Sequence, residues 1–600
     1  MRCMVHVPKK MSEMLKEFTV FSERLEHFIL SFSAKTNPVN VTFDSNILRW
    51  SKKPHLGDFS VAAAVVARLK IKDNTAFTAA LLQESRHWPL PIDSCILTDQ
   101  GGLGFKLHRP SVFKKVLSAV LTESDNYGRF AAMEVDAEAP AGVGIVSGRL
   151  PRVETGTAAE DKQDLTLSQL RGLLLTEHLS ALLETAGFQV SHLTPTTCSS
   201  DILDCFGIKA FQSSKSGATS SKESVKETKE RLVRSASCCK FRTSGPGDLT
   251  SSGPRSSEDD PSSPNPAEIN LDLRGFIVEE KLPLGKSGYD KNLQRVKVVL
   301  QDGSPSPVLA QCCLIEEGLN HTYPLPSRLI HVASQGACFQ QQRVAFTWQL
   351  CSNRPTPGTI CQYHLTHGPV ATRRAESKEK KDVSAAELLR IREAQTREAS
   401  VLKYGEEVQG EGWEQLIRRL TIAGLKFEML GKQCGHMLKL ELSNSRNSST
   451  WPDSRDGVFV MYNYARLCTL FSHFDEEVTK GTYPSLPDIA SLNFSLLRED
   501  QEWGLLFNYI LQYPVMLSGC VADLLQTKGP HINIHTHRVC SFLVSLCRDL
   551  SSYYSHTHVL GEPRPHLIAV MFARLHLLKG VQQVLKNGLS LLNIQPLTQM

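Results

Sequence analysis

The chain has 600 residues, 41% apolar and 22% charged, with a formal net charge of +5; that is enough apolar material for several cores and predicts two to four soluble domains. Its sixteen cysteines include no C-x-x-C pair, which argues against a zinc ribbon or a disulfide framework and predicts a reducing, cytoplasmic setting. The longest near-apolar run, VAAAVVARL at 61–69, is too short to span a bilayer, and the first residues lack the apolar core of a signal peptide, so neither a membrane span nor secretion is expected.

In chain order, residues 1–115 carry 17 Lys/Arg against 10 Asp/Glu, an excess that suits a polyanion and equally suits a solvated basic surface. The stretch DLTLSQLRGLLLTEHLSALLETAGFQV, 164–190, reads as a strand end, a helix and the next strand. Leu175, Leu179, Leu182, Leu183 and Ala186 make its apolar face, and Gly187 closes it. Residues 212–266 are rich in Ser, Gly, Pro and charge with almost no aromatic side chain, which predicts a disordered insertion. From Ser384, an N-cap with Glu387 three residues on, the composition predicts an exposed, charged helical connector. Four segments, 458–474, 502–517, 536–554 and 566–588, place apolar residues at three- and four-residue spacing and predict a helical bundle. In the last of them Met571, Leu575, Leu578 and Leu585 share a face, with Gly588 and Pro596 as the stop.

GVFVMYNYARL (457–467) and RLHLLKGVQQVLKNGLSLLNIQPLTQM (574–600) resemble the DALR anticodon-binding bundle of arginyl-tRNA synthetases. That family pairs a Y-x-Y-A-R entry helix with a terminal R-L-x-L, G-L-x-L-L-G-I and Met; Asn593 stands where it usually has Gly. Upstream, 55–84 and 101–117 are similar to the synthetase N-terminal additional domain, with its G-D-[FY] turn, and 327–350 and 361–370 are similar to later parts of the catalytic fold. The resemblance implies a multidomain chain, α/β plus all-α: an N-terminal additional domain (1–120), a degenerate class I, Rossmann-type core (121–370), the charged helical connector (371–454) and a DALR bundle (455–600).

Aligning Leu170-Arg171 with the L-R that follows the class I H-x-G-H signature puts Thr166, Leu167, Ser168 and Gln169 in its place. Adenylate formation needs a glycine there for backbone approach to ATP and imidazoles for the charge on the α-phosphate. Losing one such donor costs about 10²- to 10³-fold in rate, so no catalytic residue is expected. The family whose members share this loss implies an adaptor that recognises arginine tRNAs. It would present them to a methyltransferase-like partner for 3-methylcytidine formation in the anticodon loop. No G-x-G methyl-donor loop follows a strand, so no cofactor is expected in this chain. A divergent active synthetase and a structural subunit of a synthetase complex are the competing readings.

The resemblance makes Tyr462, Tyr464, Arg466, Arg538 and Arg574 the candidate tRNA contacts of the bundle. Lys52, Lys53 and Lys106 are the candidates for the outer corner of the tRNA. Two residues apart on a helix, Tyr462 and Tyr464 cannot share a face, and each arginine has carboxylate pairing as its alternative. His531, His535 and His537 have spacing that suits a metal but no accompanying carboxylate or cysteine, so no metal site is expected.

Overall fold

The computed structural model describes residues 13–36, 47–51, 57–69, 74–98, 101–130, 142–147, 165–193, 200–208, 220–243, 268–286, 288–300, 304–322, 325–352, 360–373, 383–405, 408–442, 452–527 and 529–599. Lys52, Lys53 and residues 212–219 and 244–266 of the predicted insertion lie outside them.

The N-terminal module comprises α1 (Glu13–Thr36), β1 (Leu48–Trp50), β2 (Phe59–Val61), α2 (Ala63–Leu69), α3 (Asn74–Ser85), β3 (Ile92–Leu97), β4 (Leu103–Leu107) and α4 (Arg109–Glu123). Its sheet is antiparallel, in the order β1-β2-β4-β3. The predicted G-D-F turn enters β2: Gly57 has φ +99°, and a Cβ there would sit 2.7 Å from the Phe105 amide nitrogen, so only glycine fits. Asp58, 2% exposed, accepts from the Leu107 amide at 2.8 Å and, across the molecule, from the Trp503 indole at 2.7 Å.

The core begins with β5 (Gly142–Ser147), α5 (Leu167–Thr185), β6 (Gln189–His192) and α6 (Ser200–Cys205). Then come α7 (Ser220–Cys238), β7 (Arg242–Thr243), β8 (Ile269–Asp272), α8 (Leu273–Glu279), β9 (Arg295–Val299) and α9 (Pro307–Asn320). It closes with β10 (Arg328–Ser334), α10 (Cys338–Cys351), β11 (Cys361–His367) and β12 (Val370–Arg373). A parallel sheet, β11-β10-β5-β6, carries α5 as its crossover, as the helix between two strands requires. The five apolar residues named for α5 are all buried, and Gly187 takes φ +82°.

Residues 220–243 correct the expectation of a disordered 212–266. They form α7 and β7, and β7 pairs with β8 in an antiparallel β7-β8-β9 sheet. The helix buries Thr228, Leu232 and Ala236, a stripe at four-residue spacing, in a second apolar core with α9 and α10. Arg231 is also bound to the buried Glu316 at 3.0 Å. Mean composition hid the stripe because polar residues fill the other faces.

The expected connector is likewise not exposed. After α11 (Ala385–Tyr404), capped as predicted by Ser384, come α12 (Glu411–Leu430) and β13 (Leu438–Glu441). α11 buries Leu388 and Leu389, and α12 packs lengthwise on the next helix. β13 pairs in parallel with β12 and so joins this segment to the core. The bundle is α13 (Pro452–Thr479), α14 (Asp500–Leu505), a wider turn at Leu506–Ile510, α15 (Tyr513–Gln526), α16 (His537–His556) and α17 (Pro565–Leu591). α17 and the α14–α15 segment are long and apolar, and much of each is buried against the rest of the molecule. α17 runs past Gly588, and Asn593, at φ +52°, supplies the left-handed residue beyond it; Asn tolerates that region.

Truncating Leu232 to Ala should lower stability by about 2–5 kcal/mol, read as a drop in the thermal unfolding midpoint. A chain lacking 220–243 should lose more, and an unchanged midpoint in either would mean that α7 contributes no core.

Candidate nucleic-acid interface

The N-terminal turn of α5 is where the class I signature aligns. Thr166 is its N-cap: the Thr166 hydroxyl accepts from the Gln169 amide at 3.3 Å, and the Gln169 carboxamide oxygen accepts from the Thr166 amide at 3.0 Å. This reciprocal capping box satisfies the helix's own donors. The Ser168 hydroxyl accepts from the Val370 amide at 3.0 Å, and the Ala385 amide donates to Leu165 O at 2.8 Å. Arg171 is fully buried and donates to Gly368 O and His436 O at 2.9 and 2.7 Å, and to Gln433 O at 3.1 Å. A Cβ at Gly172 would lie 2.9 Å from His367 Nε2. This helix end is therefore covered by its own cap, by β12 and by the turn after α12.

Three buried histidines are held neutral: His367, against Gly172 of α5, and, on the α10 side of the sheet, His331 and His364. Burial pushes His367 down to about 4, and the nearby Arg171 charge adds to the effect. Burial also takes His331 down to about 4 and His364 well below its ordinary value; these two rings stack at 5.0 Å. Folded-state pKa values below the unfolded value of about 6.5 mean that the stabilisation is full above pH 6.5 and is lost as the pH falls toward 4. Each such ring should contribute a slope of about 1.4 kcal/mol per pH unit in that window. Denaturant midpoints between pH 7 and 5 should fall less steeply in His367→Gln than in the unsubstituted chain; equal slopes would contradict the assignment.

The bundle separates the candidate residues. Tyr462 is 40% exposed and Tyr464 8%, the split their spacing predicted. Burial pushes the Tyr464 hydroxyl up to about 12. One turn beyond Tyr462, the Arg466 guanidinium lies 3.7 Å from the Tyr554 ring centre on α16, a cation–π contact, so Tyr462, Arg466 and Tyr554 gather on one face. Arg574 is elsewhere: its Nε binds the Glu502 carboxylate at 2.8 Å, with Glu502 only 1% exposed, and the Tyr553 hydroxyl donates to the same oxygen at 3.2 Å. For Arg574, then, the carboxylate pairing is present. Arg538 is exposed and donates to Gly519 O at 3.3 Å. Lys106 is half-buried on β4, in the N-terminal module.

Of the three histidines, His531 bonds Gly288 O at 3.0 Å, while His535 and His537 pack edge to face at 6.0 Å. Sequence reasoning missed Tyr554, whose only signal was its place on the last turn of an amphipathic helix. It also missed the fixing of the C-terminal segment: Lys426, pushed down to about 8 by burial, donates to Asn593 O at 2.5 Å, and Asn593 Nδ2 donates to Gly207 O at 2.6 Å.

Residues 460–600 match the family model described as DALR anticodon binding domain. The chain is 31% identical over 522 residues to DALR anticodon-binding domain-containing protein 3 of Danio rerio, covering 85% of each chain. It is 33% identical over 525 residues to the Mus musculus protein of the same name, covering 85% of this chain and 86% of that one. The chain belongs to the DALR anticodon-binding domain-containing protein 3 family. In fold it is similar to the arginyl-tRNA synthetase of Plasmodium falciparum, with a TM-score of 0.55 at 11% identity over 97% of this chain and 99% of that one. Tyr462, Tyr464, Arg466, Arg538 and Arg574 all fall within the matched domain.

Arg574→Ala should act on stability, because it strands a buried carboxylate at a cost of about 3–5 kcal/mol, and should lower the unfolding midpoint. Arg466→Ala should leave the midpoint nearly unchanged and instead weaken tRNA binding, read in a filter assay. The reverse pattern would exchange the two roles.

Proposed function

We propose that this chain is a non-catalytic tRNA-binding adaptor that recognises arginine tRNAs and presents them to a methyltransferase-like partner for 3-methylcytidine formation in the anticodon loop. The observation that carries the reading is a contrast between two ends of the molecule. Residues 460–600 match the family's anticodon-binding domain, whereas at the aligned signature Thr166, Ser168 and Gln169 spend their polar atoms on capping α5 and holding β12. Neither an imidazole nor a glycine stands among Thr166, Leu167, Ser168 and Gln169. A helix end so covered offers no cradle for a triphosphate. On this reading methyl transfer belongs to the partner, and the basic N-terminal module supplies phosphate contacts while the bundle, with 11 Lys/Arg and 11 Asp/Glu over 455–600, supplies base and shape selection. Lys106, with Lys52 and Lys53, serves the first purpose.

Two measurements test it. Purified chain should give no arginine-dependent ATP–pyrophosphate exchange with arginine tRNA present; exchange above background in material free of contaminating synthetase would restore the enzyme reading. In cells lacking the chain, 3-methylcytidine should fall in arginine tRNAs and persist in other tRNAs that carry it. Unchanged levels in all would remove the adaptor role.

A further inference from the structure

Helices α11, α12 and α13 enclose a cleft of about 430 Å³ that the candidate residues above touch only at Tyr462. Its mouth is aromatic: Tyr404 and Trp413 stand 5.4 Å apart, and the Lys403 ammonium lies 4.7 Å from the Tyr404 ring and 5.6 Å from the Tyr462 ring. The charged side chains that line it are Arg392, Lys403 and Arg455, all basic. Arg392 is paired with Glu428 at 2.7 Å, and among the described residues no carboxylate lines the cleft beside Lys403 and Arg455. Leu416, Val458 and Phe459 form apolar wall, and at depth the Thr421 hydroxyl donates to the Thr396 hydroxyl at 3.0 Å. The last turn of α11 leaves Val401, Leu402 and Tyr404 41%, 80% and 39% exposed.

We infer that this cleft holds a splayed base from a single-stranded RNA loop. A flat π-face suits the Tyr404, Trp413 and Tyr462 rings, the Thr421 and Thr396 hydroxyl oxygens, whose protons go to Thr396 and to Arg392 O, can accept from a base amine, and the two cations at the mouth suit the flanking phosphates. The volume accommodates a nucleotide. Tyr404 and Trp413 precede the matched anticodon-binding domain, so the RNA surface extends beyond that domain onto α11 and α12. The inference rests on the tRNA-binding reading.

The test uses the full chain and Trp413→Phe. Emission is followed while a synthetic stem-loop RNA carrying an arginine tRNA anticodon loop is added, and then the same strand annealed to its complement. The loop RNA should quench the component lost in Trp413→Phe, and the duplex should not. Tyr404→Ala, at an exposed position, should weaken loop RNA and intact arginine tRNA roughly tenfold or more, whereas Trp413→Phe, which keeps a ring, should retain most of the affinity. If the unsubstituted chain binds arginine tRNA and Tyr404→Ala binds it equally well, or if duplex and loop quench alike, the inference fails and the tRNA-binding reading stands; the cleft is then a protein-docking surface. If the unsubstituted chain binds neither RNA, both fall together.

Discussion

A buried guanidinium holds the centre of this molecule. Arg171 is shut away from water and meets three main-chain carbonyls, from the turn before β12 and from the turn that follows α12. A charge in such a place must be surrounded by dipoles or neutralised, and arginine, with five donors in a planar fork, is the side chain that can satisfy several carbonyls at once. The consequence is geometric. The first turns of α5, the β12–β13 pair and the end of α12 must all come to one point, which fixes the core against the helices that lead into the bundle.

A second weld lies at the other side. Phe507 packs at 4.5 Å from Trp50 and 5.4 Å from Phe59, so the aromatic core of the N-terminal module continues into the bundle. α4 meets α17 where a Cβ at Gly580 would come within 2.8 Å of Leu117. The Tyr127 hydroxyl, deeply buried, donates to Ile510 O at 2.8 Å, and Lys586 and Gln583 both reach Asp125. The N-terminal module and the bundle are thereby packed directly on one another.

How much of this was legible depended on whether a signal was local. The helical segments of the bundle and α5 could be read because their apolar spacing is carried within each segment, although the break between α14 and α15 was not, and the opposite fates of Tyr462 and Tyr464 followed from helical geometry alone. α7 was lost to averaging: three small or apolar residues four apart disappear in a window dominated by Ser, Lys and Glu. Within the candidate site, the pairing of Arg574 was invisible because Glu502 lies 72 residues away, and nothing in either neighbourhood marks the other. Tyr404 and Trp413 face each other only because α11 and α12 fold back on one another. Contacts that tertiary structure creates leave no periodic trace, which is why residue types were easier to nominate than their partners.

The hydrogen bond between Asp58 and Trp503 spans 445 positions of the chain. At translation rates of about 5–20 residues per second, roughly 20 to 90 s separate the synthesis of the two partners. Through that interval the carboxylate lacks its indole donor, and Trp50 and Phe59 lack the ring of Phe507. Until then the aromatic face that the bundle covers is open to water. Its final packing is a late, non-local step, of the kind that makes folding slow and nascent chains dependent on chaperones.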